Sequence, residues 1–231
     1  FMIAGDICTR SCKFCNTQTG RPLPLDPDEP THVAESIALM KLSHAVITSV
    51  DRDDLPDLGA AHWAQTIREI KRLNPETTTE VLIPDFQGRK ELIDQVIKAC
   101  PEIISHNMET VKRISPQVRS AANYHTSLEV IRQIAESGIT AKSGIMVGLG
   151  ETPAEVEELM DDLISVGCKI LTIGQYLQPT HKHFPVAAYI TPEQFAVYKE
   201  TGLKKGFEQM ESAPLVRSSY HAEKHIRFNN K

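Results

Sequence analysis

Short apolar runs alternate with amphipathic stretches along the whole chain. The runs Phe1–Ala4, Ala45–Val50, Thr79–Ile83, Ile103–His106, Thr140–Val147 and Ile170–Gly174 are apolar or β-branched and bounded by turn residues. Such segments are predicted strands. Between them, Thr31–Leu42, Ala60–Leu73, Arg89–Ala99, Ser127–Ser137 and Thr152–Val166 read as helices. In the last, Val156, Leu159, Met160, Leu163 and Ile164 recur at helical spacing. Thr152 and Glu155 make a capping box with Pro153 at the first helical position. Gly138 and Gly167 stand where left-handed helix ends want glycine. A final helix spans roughly Thr191–Lys205 and leads into a tail.

Repeated strand–helix alternation implies parallel strands joined by right-handed crossovers. The strands read as apolar on both faces, as a sheet covered by helices requires. A doubly wound sheet and an incomplete barrel both fit this pattern. No repeat or linker interrupts it, so one domain is expected, with a core over about 1–206 and a tail over about 207–231. In either fold, ligands collect at the carboxyl ends of the strands.

Composition narrows the function classes. Of 231 residues, 41% are hydrophobic and 24% charged, which is ordinary globular usage. No stretch approaches the ~18 apolar residues of a membrane helix. The net charge of −5 is a poor match for nucleic acid or an anionic membrane surface. Phe1 in place of Met, already inside an apolar run, leads us to expect further chain upstream.

The cysteines change the picture most. Of five, Cys8, Cys12 and Cys15 are spaced C-x3-C-x2-C just past the first strand, while Cys100 and Cys168 stand alone. Such clustering suits a metal site in a reducing compartment better than a disulfide framework. Structural zinc needs four closed ligands, and no fourth lies near. Three thiolates on one loop can hold three irons of a cubane cluster and leave one iron open. Cys168, at a strand entry, reads as core.

This cysteine spacing in a parallel α/β chain resembles the radical S-adenosylmethionine superfamily. The resemblance implies a partial (β/α)6 barrel of parallel strands and a 4Fe–4S cluster whose open iron chelates S-adenosylmethionine. One electron from the cluster then cleaves the cofactor to methionine and a 5′-deoxyadenosyl radical. Gly144–Glu151, reading GIMVGLGE, resembles the superfamily strand that packs against the adenine. Further blocks narrow the match: Gly5–Arg10, Val46–Asp54, Glu80–Asp85, His106–Thr110, Lys142–Gly144, Gly174–Pro179 and Leu215–Tyr220. In this order they resemble the lipoyl synthases.

That resemblance implies sulfur insertion at C6 and C8 of an octanoyl chain on a carrier lysine. It also implies a second, auxiliary 4Fe–4S cluster as sulfur donor, held by an upstream cysteine triad and a serine of the Arg-Ser-Ser-Tyr segment. Here that serine is Ser218 or Ser219, beside Arg217. The triad has no counterpart among these residues. Implied partners are octanoylated lipoyl domains (2-oxoacid dehydrogenase E2 subunits, the glycine cleavage H protein) and a reduced ferredoxin or flavodoxin. The implied compartment is the bacterial cytoplasm, or a mitochondrion or plastid.

The expected cluster ligands are therefore Cys8, Cys12 and Cys15. Expected cofactor or substrate contacts are Thr48, Ser49, Asn107, Glu109, Lys142, Gly148, Glu151, Gln175 and Tyr176. Asn107 and Glu109 suit ribose hydroxyls or the charged methionine end. Lys142 sits in an otherwise apolar strand and needs a carboxylate partner if buried. Asp51, Asp53 and Asp54 read equally as a solvated charge run, and His181 and His183 as surface residues. Two alternatives stand beside this reading: another sulfur-inserting radical enzyme, such as a methylthiotransferase or a biotin-synthase-like protein, and a noncatalytic iron–sulfur remnant.

Overall fold

Seven parallel strands form the main sheet. The computed structural model describes residues 1–225. In chain order the elements are β1 (Met2–Ile3), β2 (Ile7–Cys8), β3 (Gln18–Thr19), α1 (Glu29–Met40), β4 (His44–Ser49), α2 (Ala60–Leu73), β5 (Thr78–Leu82), α3 (Lys90–Ile97), β6 (Ile103–Ser105), α4 (Ser115–Val118), α5 (Tyr124–Glu136), β7 (Thr140–Val147), α6 (Pro153–Ser165), β8 (Ile170–Gln175), α7 (Pro192–Lys205) and β9 (Gln209–Ser212). The sheet order is β1-β4-β5-β6-β7-β8-β9, and every pairing is parallel. This is the expected α/β architecture with one strand more than the periodicity revealed. β9 belongs to the stretch read as tail, and the last six residues of that stretch lie outside the described ones.

The register corrects one expectation. Ala45, Ile47, Val81, Ile104, Ala141, Leu171 and Ile173 join the helices in one apolar cluster. The alternate positions form a different face: Thr48 stands level with Leu82, Leu82 with Ser105, and Ser105 with Lys142. Thr48, Glu80, Ser105, Lys142 and Thr172 make that face polar. The sheet is thus uniformly apolar only where helices cover it, and its other face, the interior of a partial barrel, mixes these polar residues with Val46, Leu82, Ile103 and Ile170. Every strand but β7 has six residues or fewer, which blurs a period of two and makes the runs read as uniformly apolar.

Helix starts follow local chemistry. Thr152 accepts from the Glu155 N–H and Glu155 answers it, completing the predicted box. α5 begins three residues earlier than periodicity suggested, because Asn123 accepts from the backbone of His125 and Thr126. α1 likewise begins at Glu29, with Pro30 in its first turn. Gly138 and Gly167 both have positive φ.

Candidate active site

The cysteine loop is closed by the β2–β3 ladder, which pairs Ile7 with Gln18 and Cys8 with Thr19. Arg10, between the first two cysteines, is buried and clamps the loop to the ends of β4 and β5. Its guanidinium meets Asp53 at 2.7 and 2.9 Å, Asp85 at 2.8 Å and Asp51 at 3.5 Å. Desolvation opposes the charge on Asp53 and Asp85, yet Arg10 holds both carboxyls below their usual range. The aspartates read as a possible solvated run are thus partly structural: Asp54 pairs with buried Arg52 at 2.9 Å, and Arg52 also donates to the Ala4 and Leu23 carbonyls.

At this carboxyl edge lies a cavity of about 330 Å³. Cys8, Cys12, Cys15, Thr48, Ser49, Asn107 and Glu109 all line it, joined by Arg10, Asp51, Asp85, His106 and Arg119. Seven residues singled out from far-apart segments therefore share one wall. Backbone N–H groups of Arg10 and Asp51 point at the Cys8 sulfur at 3.4 Å, and that of Thr17 at the Cys15 sulfur at 3.5 Å. Such donors favour thiolate. Burial raises the Cys8 and Cys12 thiol pKa values without a metal, so a bound cation is what would deprotonate them.

The site fits the implied cofactors. The three thiols line one cavity. A cubane takes one thiolate per iron and spreads its ligands in this way. The Asn107 Oδ1 is buried with no partner in the protein, an acceptor left for a ligand's donor. Gly144 makes room for it, since a Cβ there would lie 2.9 Å from that oxygen. Burial raises the Glu109 pKa, and Arg119 opposes this.

His106 and Arg119 were not anticipated in these roles. The His106 ring bonds the Ile83 carbonyl through Nδ1 and the Ser127 hydroxyl through Nε2, both at 2.9 Å. Arg119 donates to the same Ser127 oxygen at 2.9 Å. Burial and then the neighbouring Arg119 charge push the His106 pKa down to about 4. In the unfolded chain it titrates near 6.5, so between these values the unfolded state binds the extra proton. Stability should therefore fall as pH drops from about 6.5 toward 4, by roughly 3 kcal/mol. Urea midpoints across this window check it, and His106→Gln should flatten the slope.

The remaining expected contacts lie elsewhere. Lys142 and Glu80 form an ion pair at 2.7 Å with side chains 0% exposed. Lys142 also donates to the Ser218 carbonyl at 2.6 Å. Gly148 has a φ of 99°, and a Cβ there would meet the Ala188 carbonyl at 2.5 Å. The Glu151 carboxylate accepts the N–H groups of Gly148 and Leu149. Gln175 bonds the Ala188 carbonyl and the Ile190 N–H, and the Tyr176 hydroxyl donates to the Phe184 carbonyl at 2.7 Å. These two pin the loop after β8, which returns to the cysteine loop through Phe184 N–H to Lys13 and His183 to the Cys15 carbonyl. None of the five lines the cavity. Ser218 is half-buried and its hydroxyl accepts from Asn107 at 3.2 Å, whereas Ser219 is exposed.

Comparison with known proteins decides the family. The Radical SAM superfamily model matches residues 2–163. A lipoyl synthase of Bacteroides fragilis is 99% identical over 231 residues, all of this chain and 80% of that protein. The chain belongs to the lipoyl synthase family. Lipoyl synthases of Phocaeicola vulgatus and Treponema denticola are 82% and 60% identical, over 99% and 98% of this chain and 80% and 78% of their own lengths. Among solved structures, methylornithine synthase superposes with a TM-score of 0.67 at 10% identity, covering 94% of this chain and 72% of its own. Streptococcus suis SuiB bound to S-adenosylmethionine gives 0.71 at 11% identity, covering 98% and 52%. These two show the fold.

This lipoyl synthase chain is a sulfurtransferase. It inserts sulfur into octanoyl-lysine and uses a radical-generating 4Fe–4S cluster, S-adenosylmethionine and a second, auxiliary cluster. Cys100 is exposed beyond α3, and Cys168 is buried with its thiol on the Ile170 carbonyl. Ser218 of the tail reaches the site through Asn107. No helix among the described residues is long and apolar enough to cross a membrane.

Proposed function

We propose that Cys8, Cys12 and Cys15 hold the radical-generating cluster, with S-adenosylmethionine in the cavity they line. The observation that carries this reading is that one cavity gathers the three motif cysteines with Asn107, Glu109 and Arg119. When bound, the cluster supplies the single electron that cleaves the cofactor. The protein supplies orientation and dryness. Glu109 and the unpartnered Asn107 oxygen suit the cofactor's ammonium group. Arg119 suits its carboxylate through a charge-assisted pair. Thr48 and Ser49, at the end of β4, suit hydroxyl donors and acceptors such as ribose. Gly148, Glu151, Gln175 and Tyr176 act one step back: they shape the turn and the loop that flank the site. Ser218 is the tail serine we assign to the auxiliary cluster.

The carbon–hydrogen bond to be broken needs a site shielded from water, and the loop pinned by Gln175 and Tyr176 suits that task. The octanoyl-lysine is carried by a lipoyl domain of an E2 subunit or an H protein, and a reduced ferredoxin or flavodoxin delivers the electron in the cytoplasm. The test is S-adenosylmethionine binding to the anaerobically reconstituted chain, measured by equilibrium dialysis. Arg119→Ala and Asn107→Ala should each raise Kd about ten- to a hundredfold, the worth of a hydrogen bond to a charged group. Unchanged affinity in both variants would place the cofactor elsewhere.

A further inference from the structure

The ion pair of Glu80 and Lys142 has no contact with the cavity that the cofactor reading uses, yet it is fully enclosed. Burying two charges costs several kcal/mol per ion, and apolar residues of equal size often serve a core as well. The pair therefore calls for a task beyond filling space. A second contact of the lysine supplies one: Lys142 Nζ donates to the backbone carbonyl of Ser218 at 2.6 Å. The segment that ends at Ser218 is fitted to the barrel at four more points. The Ala213 N–H bonds the Ile173 carbonyl, and the Gln175 N–H bonds the Pro214 carbonyl, both at 3.2 Å. Gly174 faces Val216 so closely that a Cβ would stand 2.2 Å from the Val216 carbonyl oxygen. Asn107, from the end of β6, donates to the Ser218 hydroxyl at 3.2 Å.

We propose that Glu80, Lys142 and Gly174 form a built seat that fixes the backbone of residues 214–218 in the barrel mouth and so sets where the Ser218 hydroxyl stands. They are positioning residues. Glu80 holds the lysine head in place, Lys142 grips the carbonyl, and Gly174 leaves the clearance. The purpose of the seat rests on the assignment of Ser218 to the auxiliary cluster, but its existence does not.

Hydrogen exchange by mass spectrometry on the 231-residue chain tests it. Removing Lys142 alone strands a buried carboxylate, so the pair is replaced together, as Glu80→Leu with Lys142→Met. Gly174→Ala is the second variant and leaves the pair untouched. In each, exchange across residues 213–220 should speed up about ten- to a hundredfold while residues 140–147 of β7 keep their protection. A merely structural pair would instead loosen β5 and β7 with the tail. Unaltered protection of 213–220 in the folded variants, or loosening of β7 in step with the tail, overturns the proposal. Ser218→Ala separates the two readings. It keeps the carbonyl and should leave the tail protected, so an effect on sulfur insertion without an effect on exchange speaks to the serine's role alone.

Discussion

Replacing Cys8, Cys12 and Cys15 together by alanine should take the reconstituted chain from about four irons and four sulfides to none. With the iron goes all reductive cleavage of S-adenosylmethionine to 5′-deoxyadenosine. The loss should be complete because neither of the two remaining cysteines can substitute. Cys100 is exposed at the far end of α3, and Cys168 is sealed in the core, where burial pushes its thiol up to about 12. Cys100→Ala should therefore retain both iron and cleavage. The fold should survive the triple substitution, since the β2–β3 ladder closes the loop and Arg10 ties it to the strand ends of the main sheet. Iron and sulfide analysis beside an anaerobic 5′-deoxyadenosine assay decides it. Cleavage that persists in the triple variant, or stoichiometric zinc in place of iron, would sink the cluster assignment.

What could be read from residues alone divides along physical lines. Strand and helix order was legible because apolar runs and caps are local. Thr152, Glu155, Gly138 and Gly167 each announced their role within four residues of sequence. The cysteine loop was legible because metal spacing is also local. The polar interior was not. Glu80 and Lys142 lie 62 residues apart, on strands separated by β6 and with Lys142 level with Leu82, so their pairing is a property of the barrel. The lysine's need for a carboxylate was foreseeable from its strand; which carboxylate was not. Arg119 comes from the end of α4, a four-residue helix with no periodicity to show it. Arg10 carried a signal in its place between two motif cysteines, but the three aspartates it gathers come from two other strand ends. β9 escaped notice because four residues, QMES, have neither alternation nor apolar weight. Gly148, Gln175 and Tyr176 were noticed for their position after strands, and the structure places them under a loop whose path no short motif encodes.

The Bacteroides fragilis lipoyl synthase that matches all 231 residues at 99% identity is the protein in which to separate the two halves of the reaction. There, alanine at the position of Ser218 should cut lipoyl product at least about a hundredfold while 5′-deoxyadenosine formation stays within about threefold. The asymmetry follows from where the hydroxyl stands. Ser218 does not line the cofactor cavity, so its loss leaves the three cysteines, Glu109 and Arg119 as they were. Its hydroxyl does accept from Asn107, which lines that cavity, so it stands beside the proposed cofactor site. Ser219, its neighbour, is exposed. Ser219→Ala should therefore change product by no more than about twofold, the scale of a surface substitution. Mass spectrometry of an octanoyl-lysine peptide, run beside the 5′-deoxyadenosine assay, reads both quantities from one reaction. Equal losses of cleavage and product in Ser218→Ala would put the serine in the first half of the chemistry. A larger loss in Ser219→Ala than in Ser218→Ala would mean that the tail turns over when the second cluster is loaded, and that the wrong serine has been assigned.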